Sequence, residues 1–132
     1  MRPVHFEIHA ADQQRCAKFY EAVFGWKVTK MQMPDFEYWL VTTGPEGTPG
    51  IDGGIVKRMG DNPDPKDPTP VTGYVCTTEV EDIDAVIAKI DAAGGTEALP
   101  KGKVDGVGIL AYYKDTESNI FGILQPETPA KK

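Results

Sequence analysis

The chain has 132 residues, 20 acidic and 14 basic, for a net charge of -6 at pH 7. That is the size of one compact domain, and its acidic balance argues against a grip on a phosphate backbone. No apolar run reaches the roughly 18 residues a membrane span needs, and no basic segment followed by an apolar stretch opens the chain. A cytoplasmic protein with a small-molecule partner, and no nucleic-acid or membrane partner, is therefore expected.

The first element is "PVHFEIHA". Val4, Phe6 and Ile8 alternate with His5, Glu7 and His9, which predicts a strand with one apolar and one polar face. Asp12 is then a suitable helix N-cap. Cys16, Ala17, Phe19, Tyr20, Val23 and Phe24 follow the spacing of an amphipathic helix, and Gly25 is its expected stop. "WKVTKMQ", "FEYWLVT" and "GIDGGIVKR" read as three more strands, with "MPD" and "GPEGTPG" as turns. The first unit is assigned to residues 1–58. In residues 59–70, "MGDNPDPKDPTP", four prolines forbid regular structure, so this segment reads as a linker or exposed loop.

The order then repeats over residues 71–126. "VTGYVCT" reads as a strand and "EDIDAVIAKIDAAGG" as a helix with Ile83, Val86, Ile87 and Ile90 on one face. "GTEALPKGK", "VGILAYYKD" and "NIFGILQP" supply three more strands, and residues 127–132 read as a tail. At an offset of 70 the helices superpose, with Asp12 on Asp82, Ala22 on Ala92 and Gly25 on Gly95. Two copies of one strand–helix–three-strand unit predict a pseudo-twofold α+β domain. It would be built of two βαβββ modules whose curved mixed sheets enclose a cavity. The two cysteines, Cys16 and Cys76, sit in apolar patterns without metal spacing and read as reduced core thiols.

This doubled unit resembles the vicinal oxygen chelate superfamily, which includes glyoxalase I, extradiol dioxygenases, fosfomycin-resistance enzymes and bleomycin-resistance proteins. The resemblance is carried by "VHFEIHAADQQRCAKFYEAVFGWKV", "VEDIDAVIAKIDAAGG" and "KDTESNIFGILQP" and covers about residues 3 to 126. It implies homodimers and, in most members, one divalent metal held by ligands on the first and fourth strands of each module. The metal chelates neighbouring substrate oxygens and stabilises an oxyanion. Carried over position by position, the first-strand ligand of module one is His5, and that of module two falls on Tyr74. The fourth-strand positions fall on Gly53 or Gly54 and on Gly122. Glycine offers no ligand, and a phenol must lose a proton with a pKa near 10 to become a good one. No cofactor is therefore expected, and a divalent metal is disfavoured, with His5 as its one matching ligand. Asp52 is adjacent to Gly53 but one residue out of phase.

The polar face of the first strand remains to be explained. His5, Glu7 and His9 stand about 6.5 Å apart along it, too extended for all three to close one metal shell. Glu7 in an apolar cavity would act as a general base, with His5 or Tyr74 as its partner; a hydrogen-bonded structural carboxylate is the competing reading. The candidate ligand-binding set is His5, Glu7, His9, Tyr74 and Cys76, with Thr78 beside them. Strand alternation admits one of Tyr38 and Trp39, taken as Trp39, and one of Tyr112 and Tyr113, taken as Tyr112. Function is expected to be glyoxalase-like small-molecule binding in the inter-sheet cavity without the metal. The alternatives are a lyase-, isomerase- or dioxygenase-type enzyme with Glu7 as catalytic base, and an antibiotic- or metabolite-sequestering protein.

Overall fold

The fold is seen in a computed structural model that describes residues 2–32, 34–35, 37–67 and 73–127. Its elements follow the predicted order. The first module is β1 (His5–Ala10), α1 (Gln13–Phe24), β2 (Lys27–Gln32), β3 (Glu37–Thr42) and β4 (Asp52–Lys57). The second is β5 (Thr77–Glu79), α2 (Ile83–Ala92), β6 (Thr96–Val104), β7 (Gly108–Lys114) and β8 (Ile120–Pro126). Each module makes one four-stranded sheet, in the orders β1-β4-β3-β2 and β5-β8-β7-β6. In both, the first strand runs parallel to the fourth and the other pairs are antiparallel. The mixed sheets and the βαβββ order are those the alternation and helical spacing predicted.

Local chemistry explains the helix ends. The Asp12 carboxylate accepts the Arg15 amide at 3.0 Å, satisfying an otherwise orphaned donor. Gly25 takes φ 72° and returns its amide to the Glu21 carbonyl, a left-handed cap that glycine adopts without a Cβ clash. At α2, Asp82 caps Asp84 and Ala85 in the same way. The first unit's edge is glued by a residue the apolar pattern ignored. Gln13 is buried, and its amide nitrogen donates to the carbonyls of Glu37 and Ile55.

One apolar core joins the modules. Cys16, Phe19, Tyr20 and Val23 of α1 and Ile83 and Ile90 of α2 pack with Val41 and Ile55 of the first sheet. Ala111, Tyr113, Phe121 and Ile123 of the second sheet complete it. Phe121 meets the rings of Phe19, Tyr20 and Phe24 at 5.8–6.0 Å between centroids, all edge-on, the arrangement aromatic quadrupoles favour.

Three expectations change. The strand read in "VTGYVCT" is confined to Thr77–Glu79: residues 71 and 72 lie outside the described chain, and Gly73 to Cys76 are irregular. Cys16 is buried as expected, but Cys76 is exposed, because it lies ahead of the short β5 rather than within a covered strand. β6 pairs with β7 through two register shifts around Leu99, beside Pro100, which has no amide proton for a continuous ladder.

Candidate functional site

The face of the first sheet away from the helices carries the polar set. Paired residues of neighbouring strands share a face. The register sets His5 opposite Asp52, Glu7 opposite Gly54 and His9 opposite Val56. It then sets Tyr38 opposite Val56 and Leu40 opposite Gly54. Phe6, Gly53, Ile55, Trp39 and Val41 lie on the other, helix-facing side.

This settles the alternation on β3, and Tyr38, not Trp39, is the aromatic beside His5 and Glu7. Trp39 packs against the core, with Lys30 over its ring at 5.8 Å and its indole nitrogen buried without a hydrogen-bond partner among the described residues. The fourth-strand position is likewise Gly54 rather than Gly53, whose missing side chain makes room for the Phe6 ring. Asp52, read as out of phase, shares the polar face. Its Oδ1 accepts the Thr43 amide at 2.8 Å and the Thr43 hydroxyl at 3.2 Å, which ties it to the turn after β3.

Tyr38 reaches across the sheet to His5. Its hydroxyl lies 2.6 Å from His5 Nε2, and the two rings stack at 15° with centroids 6.3 Å apart. The phenol crosses directly over Gly54. A Cβ there would collide with the hydroxyl end of the ring, 2.7 Å from Cε2 and closer still to the hydroxyl. Burial, and then the Glu7 carboxylate nearby, hold the Tyr38 phenol above its ordinary value, so it stays protonated.

His5, Glu7 and His9 are brought together on this face, but they are exposed rather than turned into an enclosed cavity. The reason is that the apolar sides of both sheets pack on the same helix layer, which leaves the polar faces outward. Met31 and Leu40, 40% and 39% exposed, flank the polar trio. Two depressions lie elsewhere: one of about 400 Å³ along α1, bounded by Ala93 and Thr116, one of about 520 Å³ against the 42–52 turn. Tyr74 is fully exposed outside any strand, and Cys76 is exposed ahead of β5, so neither lies on the strand alternation that placed it beside His5. Tyr112 does lie on the matching face of the second sheet, opposite Gly122, which also pairs with Thr77.

Of the strand positions where the resemblance implies metal ligands, His5 carries a usual donor side chain, while Gly54 and Gly122 carry none. Among the described residues no three His, Cys, Asp or Glu side chains converge as a metal-binding group. The ring over Gly54 fills the space from which a fourth-strand ligand would project, and the one matching histidine already shares its Nε2 with that ring's hydroxyl.

A second polar cluster escaped the sequence reading. The β7–β8 turn, 115–119, buries two carboxylates, Asp115 and Glu117. Glu117 accepts from Arg15 Nε at 2.7 Å and Nη2 at 3.0 Å, from Asn62 Nδ2 at 2.9 Å, from the Asp12 amide and from the Thr116 hydroxyl. Desolvation alone would raise its carboxyl; these donors, Arg15 foremost, instead bring it down to about 2. Asp115 accepts the Tyr20 hydroxyl at 2.7 Å, and burial holds its carboxyl above the usual value. Arg58 adds bonds to the His9 and Glu117 carbonyls and the Asn119 side chain. The cluster ties α1, the end of β1 and the start of the proline-rich segment to the second module. It is structural, and it lies at the far end of β1 from His5.

Comparison with known proteins agrees with this architecture. The family model described as bleomycin resistance protein-like N-terminal matches residues 2–44. No curated protein matches the sequence. A glyoxylase/bleomycin resistance protein/dioxygenase domain from Frankia sp. EAN1pec superposes with a TM-score of 0.71 at 15% identity, over 96% of this chain and 99% of that one. A mutant of the fosfomycin resistance protein FosX from Listeria monocytogenes, complexed with Mn(II) and 1S,2S-dihydroxypropylphosphonic acid, gives 0.69 at 16% identity, over 95% and 90%. A glyoxalase I mutant from Zea mays gives 0.73 at 22% identity over 96% of this chain, which spans 46% of that longer protein. The chain thus shares the paired βαβββ fold of these glyoxalase, bleomycin-resistance and fosfomycin-resistance proteins.

Proposed function

We propose that this protein binds a small organic molecule on the open face formed by His5, Glu7, Tyr38 and Gly54, without the divalent metal of many superfamily members. The observation that carries the reading is the Tyr38 hydroxyl lying over Gly54 at 2.6 Å from His5 Nε2. It supplies hydrogen-bonding groups for a ligand where a metal would otherwise stand. Met31 and Leu40 give the face an apolar rim that a ligand, or a second copy of the chain in a homodimer, would cover. Among the described residues no helix is long and apolar enough to cross a membrane, in keeping with a cytoplasmic binding protein.

Catalysis is the second reading, favoured by one observation: Glu7 pairs with Gly54, beneath the Tyr38 ring, so a carboxylate and a neutral phenol share one small patch. In that arrangement Glu7 takes a proton from a bound molecule, and Tyr38 donates a hydrogen bond to the oxygen that gains charge. Sequestration without turnover differs from simple binding only in the ligand.

The test is a thermal-shift titration of the full chain with bleomycin, fosfomycin and the glutathione–methylglyoxal hemithioacetal, each with EDTA and with Mn(II). We expect stabilisation that persists in EDTA and falls in Glu7→Gln. Stabilisation seen with Mn(II) and abolished by EDTA overturns the metal-free reading, and product formation that survives Glu7→Gln overturns the catalytic one.

A further inference from the structure

We infer that Tyr38 is the residue that sets this site as metal-free: its phenol locks His5 and closes the fourth-strand ligand position at Gly54. The inference deepens the function proposed above and rests on it. Two independent features of the sheet meet at this one side chain. The first is the nitrogen. His5 Nε2 lies 2.6 Å from the Tyr38 hydroxyl, so a metal ion approaching that nitrogen must first break a short hydrogen bond. The second is the space. Any side chain at position 54 would start against the hydroxyl end of Tyr38, so a carboxylate ligand there requires the phenol to move aside.

The second module has a glycine at the matching position but different neighbours around it. Gly122 is the matching position of β8, and a Cβ on it would lie 2.5 Å from Thr77 Oγ1 and 3.1 Å from Tyr112 Cε1. Tyr38 reaches Gly54 from two residues along β3, whereas Tyr112 is the direct partner of Gly122 and meets it with a ring carbon, farther off than the Thr77 hydroxyl. Glycine is destabilising in a strand interior unless something approaches closely. At Gly54 the approaching group is the Tyr38 phenol; at Gly122 it is first the Thr77 hydroxyl. A phenol is itself a poor ligand for a divalent metal, because it must first lose a proton whose ordinary pKa is about 10. Tyr38 is therefore a specificity-determining residue: it exchanges a coordination site for a hydrogen-bonding one that suits a ligand oxygen.

The chain contains two histidines, His5 and His9, on the same sheet face. This makes the test direct. Full-length chain is titrated with Zn(II) at neutral pH, and the two imidazoles are followed by nitrogen-detected NMR, with bound zinc counted by equilibrium dialysis. In the wild type the His5 signals should hold while His9, lacking the lock, responds. Tyr38→Phe keeps the ring and removes the hydroxyl. It should raise the apparent affinity of His5 for Zn(II) about 10-fold, the scale of one lost competing hydrogen bond. Gly54→Ala, which pushes the phenol aside, should do the same, so a folding defect in either variant leaves the other as a measurement.

If His5 binds Zn(II) equally in wild type and in whichever variant folds, the lock does not exist, though metal-free ligand binding survives. If wild-type His5 takes up one equivalent of Zn(II) tightly, both the lock and the metal-free reading fall.

Discussion

Glu117→Gln tests how the two modules are held together. The substitution keeps the shape of a fully buried side chain and replaces a carboxylate by an amide. One oxygen of Glu117 receives Arg15 Nε and the Thr116 hydroxyl, the other Arg15 Nη2, Asn62 Nδ2 and the Asp12 amide. Wherever the amide nitrogen goes, it faces at least one Arg15 N–H, donor against donor. The carboxyl lies at about 2 against an ordinary 4.5. A shift of that size corresponds to about 3 kcal/mol favouring the folded, ionised form. Arg15 is half-exposed, so losing its partner costs less than the roughly 3–5 kcal/mol of a fully buried pair. We expect Glu117→Gln to lose up to about 3 kcal/mol at pH 7 and to melt up to roughly 10 °C lower.

The pH dependence has a definite sign. A depressed carboxyl stabilises fully above its unfolded value and loses that stabilisation as pH falls from about 4.5 towards 2. Asp115 works the other way: its raised carboxyl favours the folded state at low pH, and that contribution fades as pH rises. The wild type should therefore weaken below about pH 4.5 by less than Glu117 alone implies. Glu117→Gln should show a flattened or reversed acid slope. Urea midpoints from pH 7 to 2.5, read by the fluorescence of Trp26 and Trp39, measure both effects. A loss under about 1 kcal/mol at pH 7, or an acid slope unchanged from wild type, refutes the reasoning.

Other consequences are simpler to check. Ellman's reagent should titrate one thiol in the native chain, the exposed Cys76, and a second only in denaturant, when the buried Cys16 emerges; two fast thiols would contradict the burial of α1. Asp12→Ala removes the N-cap of α1 and should cost about 1 kcal/mol in chemical denaturation. Gly25→Ala forces a side chain into φ 72° and should cost about the same. Tyr38→Phe should leave stability within about 1 kcal/mol, since its hydrogen bond to His5 is exposed, while shifting the His5 imidazole resonances and not those of His9.

The elements were legible because each rests on local chemistry. Alternation in "HFEIH", the Asp12 cap, the helical stripe from Cys16 to Phe24 and the Gly25 stop are all read within a few residues. The repeat of that order disclosed the second module. What the sequence left open was phase. "EYWLVT" offers adjacent aromatics, and nothing local says which faces the helix; the pairing of Tyr38 with Val56 and of Trp39 with Ile55 decides it. Tyr74 was misplaced because β5 is three residues long, so extending its alternation backwards assumed a strand that is not there.

The polar cluster was illegible for a different reason. Asp12, Arg15, Asn62 and Glu117 span more than 100 positions, and each alone looks like a solvated residue. Asn62 lay in a segment read as a mere linker from its prolines, yet its side chain accepts the Ala11 amide and donates to Glu117. A sign was present in "KDTESN": two acids in a tight turn, with Ser118 at φ 66°, a conformation few non-glycine residues hold without external support. That support is the cluster itself, because Asp115 accepts the Glu117 and Asn119 amides and so fixes the turn that presents Glu117 to Arg15. The turn and the joint between modules are thus one structure. A change that loosens either should therefore be felt in the other, and Asp115→Asn should lower the melting temperature non-additively with Glu117→Gln. Full additivity in that double variant would separate the turn from the joint.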